Sequence, residues 1–274
     1  MTAIPELLEM LEISGSTVTV DAIGSTENIM NAIRSGGADF VLQVKGNCPA
    51  LYAELERLFT GLEEERDADR DAFTEKMGKD GRHYSECKTA ERNRDRHEYR
   101  ECQSYSDKEG MEAIREDRPH VACVGRLVQT RILKVVGGSG NDITPKLEDF
   151  LREGSPRQPK QPESGGDGSG SSRCGLIASR LLDAKKLMEY KRNHWAIENS
   201  LHYVLDETFG EDKSTVKKGR NTVSALRKCA YNIIRLLQME EPEERKHVPD
   251  VIDDICEDLE IGLKMLFQPI PSLY

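Results

Sequence analysis

The apolar positions change period along the chain. Ile4, Leu7, Leu8 and Leu11 stand three or four apart and predict a helix over 3–13, with Gly15 as its stop. Residues 16–21 read Ser-Thr-Val-Thr-Val-Asp, a β-branched run that fits a strand. Ser25 stands as the cap of a helix to Arg34 that turns Ile29, Ala32 and Ile33 inward, and Gly36-Gly37 closes it. Phe40, Val41, Leu42 and Val44 make 39–44 a second, buried strand, ended by Gly46-Asn47. Pro49 opens a helix to about residue 65. Helices alternating with strands in this order imply parallel pairing and an α/β layer.

The next stretch has a different texture. Residues 63–118 are dominated by charge, with few apolar positions, and predict a solvated loop or mobile insertion. Strand character returns over 121–136. Residues 137–172 are rich in Gly, Ser and Pro and predict a flexible linker. A helix is expected over 181–205, a loop with a basic end over 207–219, an amphipathic helix over 222–238 and a last helix over 251–267. Within 192–206, Trp195, Ile197, Leu201, Val204 and Leu205 are expected on the core side, while His194, Glu198 and His202 fall four apart along one face.

Composition narrows the class. The chain has 274 residues, 37% hydrophobic and 32% charged, enough for one large or two small domains. No apolar run approaches a membrane span, and the start lacks a basic-then-apolar leader pattern. Seven cysteines without a Cys-x-x-Cys pair fit reduced thiols, so a cytoplasmic location away from membranes is expected. The net charge of −10 speaks against nucleic acid, but its distribution matters more. Residues 173–238 hold 13 Lys and Arg against 7 Asp and Glu, and this half could meet phosphates.

Three groups of residues have the chemistry of a site. Asp21 ends a predicted strand, where α/β sheets place ligands, yet an Asp there also serves as a turn or cap. Glu198 on a core-facing helix could ligate a cation or pair with Lys191 or Arg192. A strand-end Asp plus a helix Glu is a common donor set for a divalent ion in phosphoryl transfer. Zinc on His194, Glu198 and His202 lacks the usual His-Glu-x-x-His order, and His83, Cys87, His97 and Cys102 have irregular spacing.

Three words of the chain carry a resemblance. They are Val18-Thr19-Val20-Asp21-Ala22-Ile23-Gly24, the run from Asp39 through Phe40-Val41-Leu42 to Pro49, and His194-Trp195-Ala196-Ile197-Glu198-Asn199-Ser200-Leu201-His202-Tyr203-Val204-Leu205-Asp206 followed by Phe209-Gly210-Glu211-Asp212. Together they resemble the DDE insertion-sequence transposases of the H-repeat-associated (ISAs-type) group. The third word is highly specific, and residues 63–172 match poorly.

That resemblance implies an α/β, ribonuclease-H-like catalytic core with a largely helical C-terminal part. It implies DNA as partner, both insertion-sequence ends and target, and a two-ion magnesium site that drives cleavage and strand transfer. The family's second Asp falls on Asp21 and its Glu on Glu198, as catalytic and metal-binding residues. His194, Asn199 and His202 would support Glu198. On charge, Lys213, Lys217, Lys218 and Arg220 are the DNA-binding set. The broader group's Tyr, Arg and Lys positions are here Lys191, His194 and Leu205.

The family's first Asp lies on an earlier strand than any in this chain, so the core is expected to be incomplete at its N-terminus. Residues 1–62 would form one part of the core and 63–172 a partly disordered insertion. Residues 173–240 would carry the Glu, and 241–274 a helical tail. Such a copy is expected to have reduced or no activity. The alternative is a non-catalytic DNA-binding remnant that pairs with itself or with full-length transposase.

Overall fold

Two β-rich runs joined by a helix have the crossover that a parallel pair requires, and they pair in parallel here. In a computed structural model, β1 (Thr17–Val20) pairs in parallel with β2 (Asp39–Val44), with Val20 opposite Leu42. The structure describes residues 3–22, 25–79, 81–92, 96–133, 170–240, 246–260 and 262–263. It forms two bodies, Met1–His194 and Trp195–Tyr274.

In the first body, α1 (Ala3–Glu9) precedes β1, and α2 (Glu27–Ser35) makes the crossover with Ile29, Met30 and Ile33 inward. The N-cap of α2 is Thr26, not Ser25, and it makes no side-chain capping bond. Ser25 is buried and donates its hydroxyl to the carbonyls of Ala22 and Gln43, which ties the loop after β1 to β2. Gly37 turns back toward β2 with φ of 74°, a conformation other residues rarely adopt.

The helix opened by Pro49 is α3 (Pro49–Ala68), which buries Leu51, Leu55, Phe59 and Leu62 along one side. It lies close to the sheet at Gly175, where a Cβ would stand 2.5 Å from Leu55 Cδ1.

The charged stretch is where structure and expectation part. Residues 63–118 contain the end of α3, α4 (Arg70–Met77), β3 (His83–Arg92), β4 (Arg96–Ser106) and α5 (Glu112–Asp117). The strand expected over 121–136 is β5 (Cys123–Leu133). Residues 134–169 of the expected linker lie outside the described residues, while Gly170–Ala178 is strand β6. The sheet runs β1-β2-β6-β5-β4-β3, antiparallel at every step after β2.

The reason is buried charge held in pairs. Arg126 is 5% exposed, lies over the Phe59 ring, bridges to Glu63 and donates to Gln103 Oε1 at 3.0 and 2.8 Å. Glu98 bridges to Arg100 and Arg131, and Glu101 to Lys88. A buried charge persists only when paired, and these pairs replace the apolar alternation that identifies a strand.

Further along, α6 (Ala184–Ile197) buries Ala184, Leu187 and Met188 against Cys102, Cys123, Leu127, Cys174 and Leu176. The helix expected to run to 205 changes winding at Glu198, and Glu198–His202 and Val204–Thr208 are π-helical. The second body has its own core: Leu205, Tyr231, Ile234, Val248 and Val251. They come from the π-turns, α7 (Arg220–Glu240) and α8 (Val248–Glu257). Leu201 and Val204 pack at its margin as expected, but Trp195 and Ile197 are 41% and 49% exposed. The last helix starts earlier than expected and ends at Glu257, and residues 264–274 lie outside the described residues. Among the described residues no helix is long and apolar enough to cross a membrane.

Phe59, fully buried beneath Arg126, is expected to be the costliest single truncation in α3. Phe59→Ala should lower unfolding free energy by about 3–5 kcal/mol, read from the urea midpoint at constant slope. A loss below about 1 kcal/mol would place the ring outside the core.

Candidate functional site

Side chains alternate across β1. Val18 and Val20 pack into the apolar core, while Thr17 and Thr19 turn the other way, under α6. The Thr17 hydroxyl shares a hydrogen bond with the Tyr190 hydroxyl at 3.3 Å, and Thr19 Oγ1 shares one with His194 Nδ1 at 3.2 Å. On the neighbouring strand, the Gln43 amide is 3% exposed and accepts a hydrogen bond from Lys191 Nζ. One helix face, Tyr190, Lys191 and His194, is thus fastened to the polar face of two parallel strands.

Between them is a narrow cavity of about 10 Å³, lined by Thr19, Val20, Val41, Gln43, Leu176, Tyr190, Lys191 and His194. That volume matches roughly one water molecule and no larger ligand.

Asp21 follows β1 directly. Its Oδ1 is buried and has no hydrogen-bond partner among the described residues. A buried carboxylate oxygen without a donor costs free energy, and a cation offsets that cost. The same corner shapes Cys174. Burial raises its thiol pKa, Lys191 and Lys45 lower it, and Asp21 and Glu56 raise it. Acid and ammonium therefore both act on the Cys174 thiol of β6.

The other expected residues are placed less tightly. Glu198 opens the first π-turn, but the side chains of Glu198 and Asn199 lie outside the described residues. His202 is exposed. From Glu198 the winding takes i→i+5 hydrogen bonds. Arg192 bridges to Glu91, and Lys191 goes to Gln43.

His83 and His97 stand near opposite ends of the β3–β4 ladder, opposite Ser106 and Arg92, while Cys87 faces Cys102. The register keeps those four from converging. Among the described residues no group of three His, Cys, Asp or Glu is arranged to hold a metal. Lys213 lies 3.7 Å from Glu207, and Lys217, Lys218 and Arg220 are exposed ahead of α7.

Sequence reasoning did not select Thr17, Thr19, Gln43 or Tyr190. The signal was present as Thr-x-Thr-x-Asp, a polar series at the strand period, and as a lone Gln inside Phe-Val-Leu-Gln-Val.

The model of the transposase DDE domain family matches residues 1–233. The chain is 28% identical over 247 residues to "Putative transposase YncI" of Escherichia coli O157:H7, covering 86% of this chain and 50% of that protein. It is 28% identical over 251 residues to "H repeat-associated putative transposase YhhI" of Escherichia coli K12, covering 85% and 51%. "H repeat-associated putative transposase YbfD" of the same strain is 42% identical over 59 residues, covering 22% and 23%. The chain spans about half the length of the first two relatives. A family match across most of the residues, together with an Asp beside a helix-clamped pair of parallel strands, makes this chain a member of the transposase DDE domain family.

Proposed function

We propose that the chain supplies part of the metal-dependent active site of an insertion-sequence transposase, with Asp21 and Glu198 as carboxylate ligands of magnesium. The observation that carries this is Asp21 itself, directly after β1, with a buried Oδ1 that has no hydrogen-bond partner among the described residues. Thr17 meets Tyr190 and Thr19 meets His194, so α6 is fastened along the strand that delivers Asp21.

The orphaned Oδ1 of Asp21 fits a cation ligand. Divalent ions bound there would activate water or a 3′-hydroxyl and neutralise charge on a DNA phosphodiester. The protein's own part is to hold the acids. Thr19 and His194 fix the helix beside Asp21, and the Ser25 and Asn47 side chains fix the following loop through the Ala22 carbonyl. Lys213, Lys217, Lys218 and Arg220 would meet DNA phosphates, and His194, Asn199 and His202 would flank Glu198.

The finer fold we infer is ribonuclease-H-like, with residues 1–62 and 173–240 as core pieces and the β3–β5 strands as the insertion between them. β1 has a neighbour on one side only among the described residues. The second reading is a chain that binds DNA without cutting it.

Magnesium should raise the melting temperature of the wild-type chain. At a concentration near 100 times its Kd the gain is about 2.7 kcal/mol, and Asp21→Asn or Glu198→Gln should remove it. An equal shift in Asp21→Asn would exclude Asp21 as a ligand. Any magnesium-dependent nicking of supercoiled DNA should vanish in both variants. For the basic loop, Lys217→Gln with Lys218→Gln should weaken duplex binding and lower the slope of log affinity against log salt by about two. An unchanged slope would return those lysines to ordinary solvated surface.

A further inference from the structure

Residues 213–239 contain seven Lys and Arg and no Asp or Glu, in a chain whose net charge is −10. Most of that stretch is α7, and its neighbour in the second body has the opposite composition. α8 has four acids, Asp250, Asp253, Asp254 and Glu257, and no Lys or Arg. Tyr231 and Ile234 of α7 share one core with Val248 and Val251 of α8. The body thus joins an acid-free helix to an acidic one, and its two sides carry potentials of opposite sign.

The side of α7 turned from that core is regular. Asn221, Ala225, Lys228, Cys229 and Asn232 form one stripe at helical spacing, and all are exposed. At its margin Leu226 is 64% exposed, a large apolar side chain left in water. A helix face kept in solvent commonly pairs acid with base at i and i+4. This one has no acid to offer, so helix stability does not explain its composition.

The complementary partner is anionic and as long as the helix. α7 has 21 residues and is therefore about 30 Å long, close to one turn of duplex DNA. A helix with its side chains is about 10–12 Å across, and the major groove is about 12 Å wide. Asn suits the edge of adenine, Lys that of guanine, and an apolar side chain the thymine methyl.

We propose that α7 lies in the major groove of duplex DNA by its Asn221–Asn232 stripe, with acidic α8 turned from the phosphates. This rests on the DNA reading of the chain and names the element that meets the duplex.

Two exposed cysteines make the test. Cys229 is on the stripe and Cys256 is on α8, so one molecule holds both probe and control. The full chain is alkylated with N-ethylmaleimide in EDTA, with and without a fluorescent duplex oligonucleotide whose binding is followed by anisotropy. Mass spectrometry reads each site. At a duplex concentration near ten times Kd, alkylation of Cys229 should slow about tenfold, the ratio by which free chain is depleted. Cys256 should react at its free rate, and high KCl should restore Cys229. A duplex carrying glucosylated 5-hydroxymethylcytosine, whose sugars fill the major groove, should protect Cys229 less than the plain duplex does.

Variants supply a second readout. Ala225→Glu puts an acid on the stripe at an exposed helical position and should weaken binding about tenfold. Lys228→Gln should lower the slope of log affinity against log salt by about one. Asp253→Asn on α8 should leave affinity unchanged. Circular dichroism and melting show that each variant is folded. Bound duplex with Cys229 reacting at its free rate, or with Cys256 protected, would overturn the inference and leave the DNA reading standing. Equal protection by the glucosylated duplex would overturn the groove placement. Protection of Cys229 at high chain concentration without DNA would make the stripe a contact between copies, and overturns it too. A chain that binds no duplex at all defeats the DNA reading itself.

Discussion

The polar seam between β1–β2 and α6 is the constraint on which the rest depends. A helix packed over a sheet is normally held by apolar side chains and can slide by part of a turn at modest cost. Here three hydrogen-bonded pairs, Thr17 with Tyr190, Thr19 with His194 and Gln43 with Lys191, fix both the rotation and the axial position of α6. Each pair contributes about 1 kcal/mol net, but a shift that broke all three would leave buried polar groups without partners. Registry rather than stability is what the seam provides, and a carboxylate at the end of β1 has use for it.

The rest of the first body supports that seam from behind. Leu55 and Phe59 of α3 press on the sheet opposite α6, and Gly175 allows the close approach. Val18 and Val20 anchor β1 from the same side. The β3–β5 strands widen the sheet beyond β6 and bury charge in pairs, as at Arg126 with Glu63. Such pairs cost desolvation yet specify one arrangement, since an arginine with a fixed acid and a fixed amide has one place to go.

Elements whose inward positions were apolar could be read from the chain. β1, β2, α2 and α3 show the period of their type, with Gly or Pro where the chain turns or begins a helix. β3 and β4 do not, because Glu98, Glu101 and Gln103 occupy buried positions where a strand is usually apolar. The π-winding at Glu198 was equally hidden, since no residue type marks an i→i+5 turn. Asp21 and Glu198 were singled out by position in a word shared with a family. Thr17, Thr19 and Gln43 were not, because small polar residues in a strand are commonplace until a partner helix is in place.

The most direct test of the proposal is whether Asp21 ligates a divalent ion. Iron(II) in place of magnesium, with ascorbate and peroxide, generates hydroxyl radicals that cut the backbone close to the ion. A cluster of cuts around residue 21, suppressed by excess magnesium and lost in Asp21→Asn, is the expected result. No cuts there, or cuts unaffected by magnesium, would contradict it.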